Sequence, residues 1–403
     1  MSIDAEKIST WASMGSITFY LTLMAACFLQ LRRGRRFDTA AEPAMPPGEW
    51  PGVTILKPCA GADDELESCL ESYFTVQYPN VQLLFGVRSD KDPAFAVIER
   101  VRARHPEIES ELLITGEGRH VSPKISQMEV LAARAKHELF WLSDSNTRVH
   151  PDTLWDMVSR IKQPNSGLVA SPIVGGGELT AGAALENLQI NCYVAMSTYA
   201  IKFFMNRVAV PGKSMLITRE ALTRVGNWDE IGQYFADDEV LVTSIMDQGF
   251  RTHLGAFAVQ NVNTSGDVKK FYHRHLRWAQ IRWRVIIQGA IAELFVAPLM
   301  VLLVNAVVMQ SAKGWAMFAL GFGLQMSIDW LCQRLVRGRS LEWKYAWVLL
   351  ARPVLNFGLL VRGLFSGRVA WRGNHLWMGP RARILTEPPL RRSIRALRTA
   401  LRG

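Results

Sequence analysis

The chain reads as an α/β domain set among membrane-seeking segments, and three observations carry that prediction. Residues 53 to 262 alternate short β-branched apolar runs with helix-spaced segments, the pattern of parallel βαβ units. Four apolar runs lie outside that interval, at residues 11–31, 286–309, 315–331 and 345–365, each close to the roughly 20 residues that span a hydrocarbon core. Between the two kinds of sequence, residues 268–284 mix Lys269, Lys270, Arg274, Arg277 and Arg282 with Tyr272, Trp278 and Trp283, the composition of a helix lying at the headgroup level.

The elements follow in order. The first apolar run is preceded by Asp4 and Glu6 and ends in Arg32-Arg33-Gly34-Arg35-Arg36, so it reads as a retained anchor over residues 1–36 with its basic end in the cytoplasm. An Ala/Pro-rich linker leads to the strand at residues 53–56, which Lys57-Pro58 should end. Strands are then predicted at 81–87, 112–115 and 138–143, with helices over 63–74, 94–104 and 122–135. The fourth strand, Leu-Phe-Trp-Leu, stops abruptly at Asp144-Ser145-Asn146. Polar groups at the carboxyl end of a strand in an open α/β sheet sit where ligands bind, although the same residues also favour a plain turn.

Further on, a helix at 152–161 and a buried strand at 167–171 lead to Gly175-Gly176-Gly177, read as a flexible turn without phosphate-loop spacing. A long apolar helix (180–204), a strand (210–217), a short helix (219–225) and an acidic turn, Ala236-Asp237-Asp238-Glu239, complete the domain. Beyond residue 345, Arg352 and Pro353 interrupt the last apolar run, and a full span there would carry the arginine-rich tail across the membrane, so a re-entrant or interfacial hairpin is predicted. The domain plan is thus 1–36 anchor, 50–267 cytosolic domain, 268–285 interface helix, 286–365 transmembrane or re-entrant helices and 366–403 basic cytosolic tail, in the inner membrane with the globular domain in the cytoplasm.

Composition narrows the function. A hydrophobic content of 49% is high for a soluble protein, and the net charge of +10 collects beside the apolar runs and in the tail, which suits anionic lipid rather than nucleic acid. Five scattered cysteines with no CxxC pair indicate neither a zinc site nor a disulfide framework.

Four motifs in order then resemble an inverting glycosyltransferase of the GT-A fold: Asp92, Asp144-Ser145-Asn146, Asp238, and Arg274-His275-Leu276-Arg277-Trp278 ahead of an apolar span. With Leu56-Lys57-Pro58, Asp90-Lys91-Asp92-Pro93-Ala94, Ser122-Pro123-Lys124-Ile125 and Pro151-Asp152-Thr153-Leu154, residues 52–293 are similar to the ceramide glucosyltransferase family. That resemblance implies a UDP-sugar donor such as UDP-glucose and transfer to the primary hydroxyl of ceramide. Bacterial enzymes that glycosylate hopanoids share much of the pattern, and a catalytically silent sugar-nucleotide-binding membrane protein is the reading from another class. One departure is that no His stands between Glu186 and Gly212, where the eukaryotic enzymes carry one.

The resemblance assigns roles. Asp92, Lys124 and Lys57 would contact the donor, with Asp92 at the uridine. Asp144, with Asn146, would hold Mg²⁺ or Mn²⁺ against the diphosphate, since hard oxygen ligands suit both the cation and a leaving group that gathers negative charge. Asp238 would be the general base, its acidity weakened by the neighbouring Asp237. Arg274 and Arg277 would stabilise the diphosphate and Trp278 would line the acceptor mouth, whereas Arg282 and Trp283 read as interface anchors.

Overall fold

A computed structural model describes residues 3–38, 50–62, 64–296, 298–371 and 374–388. Its strands are β1 (Val53–Pro58), β2 (Val81–Val87), β3 (Ser110–Ile114), β4 (Leu139–Ser143), β5 (Thr147–Arg148), β6 (Ser166–Ala170), β7 (Ile173–Gly176), β8 (Ser214–Thr218), β9 (Arg251–Leu254), β10 (Val259–Val262), β11 (Arg368–Trp371), β12 (Asn374–Met378) and β13 (Ile384–Leu385). Helix α1 (Ile3–Asp38) precedes the sheet, and α2 (Leu66–Phe74), α3 (Pro93–Arg104), α4 (Pro123–Arg134) and α5 (Thr153–Ile161) link its strands. Next come α6 (Ala181–Gln189), α7 (Ala195–Met205), α8 (Arg219–Arg224), α9 (Asn227–Ile231), α10 (Asp237–Asp247) and α11 (Val268–Val285). The apolar C-terminal half holds α12 (Ile287–Val296), α13 (Pro298–Met309), α14 (Ala312–Arg337) and α15 (Val348–Phe365).

The main sheet runs β3-β2-β1-β4-β8-β6-β9. Its first four strands are parallel, as their helical crossovers require, but β8 enters antiparallel between β4 and β6. That reversal sets Ser214 opposite Ser143, so the loop leading into β8 meets the loop leaving β4.

Alternation along the strands divides the core. Leu56, Leu84, Phe140 and Leu142 face one side, where they join Tyr20 and Met24 of α1, the α6–α7 stretch, and Val348 and Leu359 of α15 in a continuous apolar cluster. Ile55, Leu83, Phe85 and Trp141 face the other side, against α2, α3 and α5. The apolar helices are therefore built into the sheet's core. Among the described residues, two stretches are long and apolar enough to cross a membrane, Lys7–Arg32 and Trp343–Phe365.

Several expectations are corrected. Lys57 and Pro58 lie inside β1, because Pro58 closes the strand where a ladder donor is dispensable. The glycine triplet is largely strand: Gly175 and Gly176 pair with β10, and a Cβ on Gly175 would approach the Asn187 backbone to 2.8 Å, so glycine serves close packing of α6. The apolar run from residue 286 is two helices, α12 and α13, and the run from residue 345 is one helix containing Pro353, with no hairpin. Within the expected tail, β11, β12 and β13 form a small antiparallel sheet packed on Phe235 and Ala236.

The arginines read as headgroup contacts are partly internal. Arg337 forms a buried pair with Glu178 at 2.7 Å, and Arg282 pairs with Glu293 at 2.7 Å. Trp283 donates its indole N–H to the Leu360 carbonyl at 2.8 Å, a contact that packs α11 on α15.

Candidate active site

The loop after β4 is braced from below. Lys57 is fully buried, donates to the Asp144 carbonyl at 2.6 Å and to Thr147 Oγ1 at 3.4 Å, and sits 3.7 Å from the centre of the Tyr73 ring. The Tyr73 hydroxyl also meets Thr147 Oγ1 at 2.8 Å and the Ser143 hydroxyl. Burial pulls the Lys57 ammonium down to about 8. This lysine fastens the Asp144 turn and does not reach the cleft.

Asp144 points into a cavity of about 810 Å³, together with Lys124, Lys213, Asp237, Asp238, Glu239, Arg274, Arg277 and Trp278. Its two carboxylate oxygens each accept an ammonium, Oδ1 from Lys124 at 2.9 Å and Oδ2 from Lys213 at 2.7 Å. These two lysines hold the carboxyl far below the usual range despite its burial. Lys213 also donates to Asn146 Oδ1 at 3.2 Å, while the Asn146 amide N–H groups are taken by Asn261 Oδ1 at 3.0 Å and the Val262 carbonyl at 3.4 Å. Asn146 thus ties β10 to the turn. The expected Mg²⁺ or Mn²⁺ does not fit this arrangement: the available oxygens are already facing ammonium groups, and no cluster of three or more His, Cys, Asp or Glu forms among the described residues.

The acidic turn supplies the second half of the site. Asp238 Oδ2 accepts from the Gly212 amide at 2.6 Å and Oδ1 from the Glu239 amide at 2.8 Å. Burial first, then the charge of Asp237, raises the Asp238 carboxyl above its ordinary value against those two hydrogen bonds and Lys124. Beside it, burial and the Asp238 charge push Glu239 up to about 7, with Arg207 at 3.6 Å opposing them. The turn itself is strapped by the C-terminal sheet, through Phe235 N–H to the Ala382 carbonyl at 2.9 Å and Ile384 N–H to the Gln233 carbonyl at 2.8 Å.

Helix α11 presents the Arg-x-x-Arg-Trp residues to the same cavity. Glu186 on α6 positions this helix by accepting from Arg274 at 2.9 Å and facing His275 Nε2 at 3.1 Å. Those two partners overcome the burial of Glu186 and depress its carboxyl to about 2. His275 in turn meets the Trp278 ring edge-on at 4.9 Å.

Among the sequence-predicted residues, Asp144, Lys124, Asp238, Arg274, Arg277 and Trp278 converge. Asp92 lies apart, capping α3 through Ala94 N–H at 2.9 Å and holding the Gly61 amide at 2.8 Å, and neither Asn146 nor Lys57 lines the cavity. Lys213, Glu239 and Glu186 were not anticipated.

A family model described as glycosyl transferase family 21 matches residues 17–384. The chain belongs to that family. Ceramide glucosyltransferase 1 of Caenorhabditis elegans is 24% identical over 345 residues, covering 83% of this chain and 73% of that protein. Ceramide glucosyltransferase 3 of the same organism is 28% identical over 233 residues, covering 58% of this chain and half of that protein. Among solved structures, a mannosyltransferase from Pyrobaculum calidifontis in complex with GDP-Man and Mn²⁺ superposes over 86% of this chain and 99% of its own with a TM-score of 0.49 at 17% identity. The family-21 chain is a glycosyltransferase whose α/β domain has apolar helices built around it.

Proposed function

We propose that this family-21 protein moves glucose, or a related sugar, from a UDP-sugar to the primary hydroxyl of ceramide or a similar lipid, with inversion at the anomeric carbon. One observation carries the reading: a single cavity joins the charged cluster around Asp144 and Asp238 to apolar residues of α1 and α15, including Phe19, Leu23, Phe357 and Leu360. A sugar nucleotide and a lipid need those two surroundings side by side.

Each step follows from the residues present. Asp238 accepts the proton of the lipid hydroxyl, whose oxygen bonds to the anomeric carbon as the bond to the diphosphate breaks and UDP departs. A carboxyl of raised pKa is a better base at neutral pH than an ordinary one. Lys124, Lys213, Arg274 and Arg277 take up the charge that develops on the diphosphate, a role open to fixed ammonium and guanidinium groups without a metal ion. Asp144 orients both lysines, Trp278 flanks the acceptor, and Asp92, capping the start of α3, is left as the candidate for the uridine. With α1 as anchor and its arginines on the cytoplasmic side, the domain works at the inner face of the membrane.

The test is to give the purified full-length protein a panel of UDP-sugars with ceramide and with a hopanoid, and to weigh the glycolipids formed. A hexosyl-ceramide from UDP-glucose supports the reading. Sugar added only to the hopanoid replaces the acceptor, and no glycolipid from any pair removes the proposal.

A further inference from the structure

The small C-terminal sheet supplies no group to the transfer steps, yet it packs on both parts of the chain that do. Its residues Val369, Leu376, Met378 and Ala382 form an apolar cluster with Phe235 and Ala236 of the acidic turn and with Ile281 and Val285 of α11. Phe235, Ala236 and Ile281 also line the cavity, so this one cluster backs both Asp237-Asp238-Glu239 and the Arg-x-x-Arg-Trp helix.

Hydrogen bonds fix the sheet on each side. Toward the turn, Ile384 N–H donates to the Gln233 carbonyl at 2.8 Å, Phe235 N–H donates to the Ala382 carbonyl at 2.9 Å, and Tyr234 pairs with Arg383 in an antiparallel bridge. Toward α11, the buried Gln280 amide donates to Ser366 Oγ and to the Arg368 carbonyl, both at 3.0 Å, and to the Ser366 carbonyl at 3.2 Å. Ser366 directly follows α15, so the same clamp ties the end of that apolar helix to α11. Arg381 and Ala382 hold left-handed backbone at φ 52° and 59°, a conformation that strains residues carrying a Cβ. Such strain persists where the surrounding contacts over-determine it, and here it aims the Ala382 carbonyl at the turn.

We propose that Ile384 and Gln280 are positioning residues, through which the C-terminal sheet braces the acidic turn against α11 and so sets Asp238 opposite the leaving diphosphate. Neither residue lines the cavity. A base must meet the acceptor hydroxyl within a fraction of an ångström, whereas several charged groups at once grip the donor, so loosening the brace should slow transfer before it weakens donor binding. The inference rests on the transfer reading above, with Asp238 as the base, and adds the residues that place that base.

The experiment compares the full-length protein in nanodiscs with three variants. Ile384→Pro lacks the N–H, and the residue before it, Arg383 at φ −64° and ψ 140°, suits a following proline. Ile384→Val keeps both the N–H and an apolar side chain, and Gln280→Leu removes the clamp on Ser366 and Arg368. Transfer from UDP-glucose to ceramide is divided by the number of UDP-binding sites counted by calorimetry, so unfolded protein drops out. Per site, kcat is expected to fall about ten- to a hundredfold in Ile384→Pro and Gln280→Leu, with the donor KM within about twofold and Ile384→Val unchanged. An unaltered kcat per site in both, or activity lost only in step with binding sites, overturns the proposal. Amide hydrogen exchange across residues 233–239 is followed in parallel and should quicken in Ile384→Pro. Quickened exchange in a protein whose unaltered form transfers no sugar sinks the transfer reading and leaves the brace, whereas transfer with neither exchange nor kcat changed sinks the brace alone.

Discussion

Gly212 and Asp238 are in backbone-to-carboxylate contact: the Gly212 amide donates to Asp238 Oδ2 at 2.6 Å, and a Cβ on Gly212 would lie 2.6 Å from the Asp238 Cβ. No side chain fits between them, so the glycine sets where the proposed base stands. Gly212→Ala must displace Asp238 or the loop, and a shift of about 1 Å at a reacting group costs on the order of a hundredfold in rate. Steady-state kinetics should show kcat falling by about that factor with the donor KM little changed. An unaltered kcat would mean that Asp238 does not need this position.

Asp238→Asn keeps the shape and one of the two hydrogen bonds accepted from backbone N–H groups, since its amide nitrogen cannot accept, and removes the basic oxygen. Transfer should fall by about 10²–10⁴, the usual worth of a general base. UDP-sugar binding, measured by calorimetry, should persist. Full turnover by this variant would reassign the base, with Glu239 next in line because it lines the same cavity and its carboxyl reaches about 7.

The pH profile follows from the same pair. The proposed base must be ionised, so transfer rises with pH through the Asp238 value, which burial and Asp237 raise above the ordinary carboxylate range of about 4, beside a Glu239 pushed up to about 7. Glu239→Gln removes a like charge, which lowers the Asp238 value and moves the acidic limb of kcat to lower pH. A limb that stays in place, or moves upward, would separate Glu239 from the base.

Lys213 stands where a metal was expected. With both Asp144 oxygens engaged by lysines, a chelator should leave most of the turnover intact, while Lys213→Met should raise the donor KM by roughly ten- to a hundredfold, the loss of a charge-assisted hydrogen bond. Complete loss of activity with EDTA, restored by Mn²⁺ or Mg²⁺, would reinstate the cation at Asp144.

What the sequence could and could not disclose has a physical basis. Strands β1 to β4 and their helices were legible because their apolar periodicity is local and their helix starts carry caps, such as Asp92-Pro93 and Ser122-Pro123. Asp144, Asp238, Arg274, Arg277 and Trp278, which an ordered motif singles out, line one cavity. Lys213 was not legible, since its meeting with Asp144 depends on β8 entering the sheet antiparallel, a pairing that no local pattern announces. Glu186 was hidden inside a helix that reads as mostly apolar, and the motif names Lys57 but not the direction of its ammonium, which lies under the Asp144 turn. The hairpin foreseen around Arg352 is a single helix for a related reason: Gln189 and Asp329 take the arginine's terminal nitrogens within the helix packing, so the charge need not break the helix.

The most direct test of single-displacement transfer by Asp238 is the anomeric configuration of the glycolipid formed from UDP-α-glucose, read from the proton coupling at the anomeric carbon by NMR. A β-linked glucosyl-lipid that forms with the unaltered protein and vanishes in Asp238→Asn is the expected result. An α-linked product, or a β-linked product made equally well by Asp238→Asn, would contradict it.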